Sequence, residues 1–126
     1  MAEGLTEPMP TTYALLIYRT APAEPSQSAS RKALSGHRAV QKEAAAKGDL
    51  HAVARLKDVD AAKTVRASGG SHDVTDGPYV DTKEWLVGFY LVDCCDEAEA
   101  LARARRLCPV EDHAVEVRPV GWRWKP

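Results

Sequence analysis

Residues 85–92 read WLVGFYLV, a stretch without a charged side chain and rich in aromatic and β-branched residues. Such a run reads as a central strand, paired on both edges and covered on both faces. A chain that contains it must build a sheet around it. No run approaches the roughly 20 apolar residues that a membrane-spanning helix needs.

The rest of the chain supplies partners for that strand. Residues 13–18 (YALLIY) form a second short apolar run with a β-branched Ile17, again the pattern of a strand covered on both faces. Residues 20–29 concentrate Pro, Ser and Ala and predict a long loop. From residue 30 to 47 helix formers dominate. Ala33, His37, Val40 and Ala44 recur on one stripe, so His37 is carried inward with the apolar residues. Gly36 lies beside it and predicts the close approach of another element. Gly48 supplies the stop.

Residues 50–56 predict a further strand. Residues 63–66 and 71–75 flank Ser68, Gly69 and Gly70 as the arms of a hairpin. Asp76-Gly77-Pro78 reads as a turn. Asp96 followed by Glu99 matches a helix-capping box, and Ala98, Leu101 and Cys108 are the expected inward stripe of that helix. Residues 114–120 alternate Val115 and Val117 against Glu116 and Arg118, the period of a half-buried strand, and Pro119 confines it to an edge or an end. The order strand, helix, strand, hairpin, strand, helix, strand predicts an α+β, ferredoxin-like βαββαβ protomer with an inserted β-hairpin. Residues 1–11 lack apolar periodicity and are expected to be a flexible tail. Residues 122–126 form a short Trp-containing tail.

Charge and composition narrow the partners. The 126 residues contain 17 Lys and Arg against 18 Asp and Glu, a formal net charge of -1, which gives no electrostatic footprint for nucleic acid. No charged and then apolar leader is visible, so the expected location is cytoplasmic, without a membrane partner. Cys94, Cys95 and Cys108 show no CxxC spacing and are expected to be reduced packing residues. Neither HxH nor HExxH occurs, so no metal site is expected, and the lack of GxGxxG and Walker sequences leaves a nucleotide cofactor without support.

The stretch TDGPYVDTKEWLVGFYLVD, residues 75–93, resembles the signature of the YCII-related (DGPF) proteins, in which a DGPF segment precedes TKE and a GFY strand. Tyr79 stands where the name has Phe. YALLIY, the TVR of residues 64–66 and the EVRPV of residues 116–120 fall in family-like places, so the resemblance covers most of residues 13–120. It implies a ferredoxin-like protomer and two protomers packed through their sheets as a dimeric α+β barrel. It also implies a His and Asp pair in a cleft and, in one branch, dehydrochlorination of a chlorinated hydroxyquinol. The sequence departs from the family pattern at Gly48-Asp49-Leu50-His51, where members carry a Gly-rich GVL segment, and in the added Gly121-Trp122-Arg123-Trp124.

Among individual residues, His37 titrates near neutrality and suits a proton donor and acceptor, or else is a satisfied core residue. Asp76 sits in a turn where a carboxylate can orient an imidazole, or can simply bond its own backbone. These two are the expected catalytic pair. His51, Lys83, Tyr79 and Trp85 are the expected substrate-binding residues; Lys83 suits an anionic group and Trp85 offers a flat apolar wall. His72, Glu84 and Asp49 are weaker candidates, and Trp122 and Trp124 are expected to share a strand face. Two functions are compatible with this set. One is a cofactor-independent acid/base enzyme of lyase, isomerase or cyclase type, acting on a small cyclic or aromatic metabolite. The other is a non-catalytic module that binds a metabolite or regulates a partner.

Overall fold

The computed structural model describes residues 10–20, 27–79, 84–108 and 113–124, with the backbone alone for residues 27–30. Six strands and two helices follow one another as β1 (Thr11–Arg19), α1 (Gln27–Ala46), β2 (Leu50–Arg55), β3 (Lys63–Ser68), β4 (Ser71–Asp76), β5 (Trp85–Cys94), α2 (Glu97–Arg106) and β6 (His113–Pro119). A short 3-10 turn, Val59–Ala61, links β2 to β3. The main sheet has the order β2-β5-β1-β6 with every neighbouring pair antiparallel, and β3 and β4 form a separate two-stranded hairpin. This is the α+β, ferredoxin-like arrangement, with the hairpin inserted between its second and third sheet strands.

The apolar runs occupy the two central strands, where both edges find backbone partners. Leu15 and Ile17 of β1, with Tyr90, Val92 and Cys94 of β5, are almost wholly buried. Val40 and Ala44 of α1, Ala100 of α2 and Leu107 at the cap of α2 cover them, so both helices lie on one face of the sheet. The paired positions on the other face are Thr12 with Asp93, Ala14 with Leu91, Leu16 with Phe89 and Tyr18 with Leu86. No described helix covers that face. Among the described residues no helix is long and apolar enough to cross a membrane.

Several local expectations are met and others corrected. The stripe of Val40 and Ala44 faces the core, with His37 half-buried beside it. A Cβ at Gly36 would run into the backbone carbonyl of Arg106, so the glycine is what lets α1 and α2 touch. β6 is an edge strand ending at Pro119. The first strand begins at Thr11, inside the expected tail, whose residues 1–9 lie outside the described ones. The helix starts at Gln27, so the expected loop is shorter than residues 20–29.

In α2 the inward face is Ala100, Arg103 and Ala104, continued by the capping residue Leu107, while Ala98 and Leu101 are exposed. Arg103, a basic residue near the C-terminal end of the helix where it suits the dipole, is instead buried among polar partners. Trp122 and Trp124 lie beyond β6, outside any strand, and are 79% and 67% exposed. Cys94 is a core residue, but Cys95 is exposed.

Candidate active site

The end of α1 prepares one side of the site. Gly48 takes a φ of 73°. The Gly48 amide donates to the Ala45 carbonyl at 3.0 Å and the Asp49 amide to that of Ala44 at 2.9 Å, closing the helix in a Schellman motif. The chain then turns directly into β2. Between Leu50 and Ala52 the pairing with β5 slips by one residue, so His51 occupies an irregularity in the ladder. Bulges of this kind re-aim a side chain. Here His51 Nε2 lies 2.9 Å from Asp93 Oδ2, and the two side chains are 24% and 20% exposed.

Asp93 is held at each of its polar atoms. Thr12 Oγ1 donates to Oδ1 at 2.6 Å, the Asp93 amide donates to the Asp49 carbonyl at 2.9 Å, and its own carbonyl accepts from Arg103 Nη1 at 2.7 Å. Burial alone would push the Asp93 carboxyl up. The hydrogen bonds from Thr12 and His51, with the charges of His51 and Arg123, outweigh that and hold it below its ordinary value. The carboxylate therefore stays ionised and fixes the imidazole. In the neutral ring the proton sits on Nε2, which leaves the lone pair of Nδ1 free to accept a proton.

Arg103 ties this corner together from beneath. It is 1% exposed, and besides the Asp93 carbonyl it reaches Asp49 Oδ2 at 3.3 Å and Cys94 Sγ at 3.4 Å. Asp49 thus has the partner that a carboxylate after a helix C-terminus requires. A cleft of about 610 Å³ opens next to this corner, between α1 and β2.

The expected pair of His37 and Asp76 is not joined by any hydrogen bond. His37 Nδ1 is 2.7 Å from the Tyr90 hydroxyl, which also accepts from Gln41 Nε2 at 3.0 Å. Asp76 ends the hairpin with its side chain 88% exposed, and its Oδ1 is 2.6 Å from Lys63 Nζ. The DGP turn has a structural tie of its own: Thr64 Oγ1 donates to the Gly77 carbonyl at 2.8 Å.

Tyr79 is also on the hairpin side, 70% exposed, with the Arg66 guanidinium 5.2 Å from its ring centre. Trp85 opens β5 opposite Arg19, partly buried. It stands eight residues from Asp93, about 26 Å along an extended strand. Lys83 lies outside the described residues. His72 is exposed in β4. Of the expected substrate-binding residues, the structure therefore brings His51 alone to a His and Asp contact. The residues that complete this corner, Asp93, Thr12 and Arg103, were not singled out in the sequence. One signal for Asp93 was present: it is the first charged residue after the run that defines β5.

Among the described residues no group of three or more His, Cys, Asp or Glu side chains is placed to hold a metal ion. What the corner can do is acid/base chemistry: a fixed carboxylate, an oriented imidazole and a neighbouring cleft.

Comparison with known proteins is consistent with this architecture. Residues 11–125 match the YCII-related domain. An uncharacterized protein of Rhizobium meliloti (strain 1021) is 46% identical over 85 residues, which span 66% of this chain and 68% of that protein. The match to the domain covers nearly the whole chain, which belongs to the YCII-related family.

Proposed function

We propose that the protein is a cofactor-independent acid/base enzyme of lyase, isomerase or cyclase type acting on a small cyclic or aromatic metabolite, with His51 as the proton-transferring group and Asp93 as its orienting partner. The observation that carries this reading is the 2.9 Å contact between His51 Nε2 and an ionised Asp93 whose other polar atoms are all engaged. An imidazole held in one tautomer and left partly open to solvent is what proton abstraction requires. Leu16, Phe89 and Leu91 line the same sheet face and offer apolar surface to a ring. Two protomers packed through that face would close it, so the working unit in this reading is a homodimer.

The test is deuterium exchange at acidic C–H positions in a panel of cyclic ketones and cyclic keto acids in D2O, followed by proton NMR. At least one compound should exchange faster with protein than in buffer. His51→Asn should lower that rate about 10²-fold, the usual share of a general base, whereas His37→Gln should leave it intact. If no compound exchanges faster with protein than in buffer, or if His51→Asn matches the unaltered protein, the acid/base reading fails and a metabolite-binding module remains.

A further inference from the structure

The cleft beside His51 has a composition that its position alone does not require. Its α1 wall presents Arg38 and Lys42, one helical turn apart on the same face, and its β2 wall presents Leu50 and Val53. Among the described residues no carboxylate lines it. Positions four apart on a helix place their Cβ atoms about 5–6 Å from each other, close enough for both head groups to meet one small anion.

Neither cation has an ion-pair partner among the described residues. Other basic side chains near acidic ones are engaged, Arg106 with Glu43 at 2.8 Å, Arg103 with Asp49 and Lys63 with Asp76. Glu43, the single carboxylate of α1, is thus already taken. The helix sequence contains Arg31, Lys32, Arg38 and Lys42 in a chain whose net charge is -1, so positive charge is concentrated on the element that forms this wall. Val53 is 40% exposed on the facing strand and adds apolar surface to the same cleft.

We propose that this cleft is a subsite for a small organic monocarboxylate: Arg38 and Lys42 bind the carboxylate, and Leu50 and Val53 pack against its apolar body. The assignment deepens the acid/base reading, on which it rests for the ligand's purpose, because His51 also lines the cleft. A phosphate ester would gain as much from the two cations. A bare inorganic anion would gain nothing from the aliphatic wall.

Benzoate, benzamide and inorganic phosphate, titrated separately into isotope-labelled protein and followed by amide NMR shifts, test this. Benzoate should move Gln41, Lys42, Leu50 and Val53. Benzamide, the same shape without the charge, should bind about tenfold or more weakly, and benzoate affinity should fall as salt is raised. Phosphate should be weaker than benzoate at the same residues. Arg38→Gln and Lys42→Gln, both at exposed positions, should each raise the benzoate Kd severalfold, and together by about tenfold or more.

Equal binding of benzoate and benzamide, shifts centred elsewhere, or a double variant that binds benzoate as the unaltered protein does would overturn the assignment. Phosphate binding as tightly as benzoate would overturn the apolar half of it. Benzoate binding here without any ketone exchange would remove the acid/base reading and leave the subsite standing. Ketone exchange with no benzoate binding would do the reverse.

Discussion

Tyr90 accepts a hydrogen bond from Gln41, and its hydroxyl lies 2.7 Å from Nδ1 of His37, a ring half-buried beneath the sheet. Burial, and after it the charge of His113, hold the His37 pKa below its ordinary 6.5. The unfolded chain binds a proton near that value while the folded protein does not, so stability rises with pH across the interval. His37's contribution is complete above 6.5 and is lost as the pH falls through the lowered folded value. The contribution of Asp93, whose carboxyl is also held low, is present above its ordinary 3.8 and disappears only in more acid solution. The two windows are therefore separate. Urea unfolding between about pH 7.5 and about pH 5 should give an unfolding free energy that decreases as the pH is lowered, with a slope from this one group of at most about 1.4 kcal/mol per pH unit. His37→Gln, which keeps an acceptor for Tyr90 but has no titrating ring, should flatten it. An unchanged slope would mean that His37 is as easily protonated folded as unfolded.

Elements in this chain differ in how far their sequences determine them. The β3–β4 hairpin pairs Lys63 with Asp76 through to Ser68 with Ser71, and turns on Gly69 and Gly70 at φ of 55° and 87°. Positive φ at both central positions defines the tight hairpin turn that glycine favours. Val65 and Val74 are each 62% exposed, so the hairpin has little packing to fall back on. Gly70→Val should cost about 1–2 kcal/mol at that position, and amide exchange should quicken in Val65 and Val74 while Tyr90 and Val92 keep their protection. Exchange rising equally in β5 would show that the hairpin and the sheet unfold as one unit. This turn was legible because its signal is local, as was the helix cap, where Asp96 Oδ1 accepts from the Glu99 amide at 2.8 Å. The burial of Arg103 was not, because its partner Asp49 is 54 residues away. The His51 and Asp93 contact depends on a slip in the β2–β5 register that no single strand encodes. Asp76 attracted attention through its turn motif, yet what the motif secures is the base of the hairpin, by way of Lys63 and Thr64.

At the scale of the whole molecule, the decisive feature is that both helices lie on one side of a four-stranded sheet. The other side carries Leu16, Phe89 and Leu91 in its centre, with Leu86 37% exposed at one end. A sheet with an apolar face is stable only when something covers it, and a protein of 13.7 kDa has little other core to compensate. A second copy related by a two-fold axis presents the same apolar face and is the simplest cover. Sedimentation equilibrium at micromolar concentration should therefore give twice the chain mass. Because folding and association are then linked, the thermal midpoint should rise with protein concentration. Phe89→Lys places a charge at the centre of that face and should shift the species to the monomer mass, with loss of the concentration dependence. Arg105→Ala, an exposed position on α2 and so on the opposite side of the sheet, should leave the mass unchanged. A monomer in the unaltered protein at those concentrations would refute face-to-face pairing of the sheets.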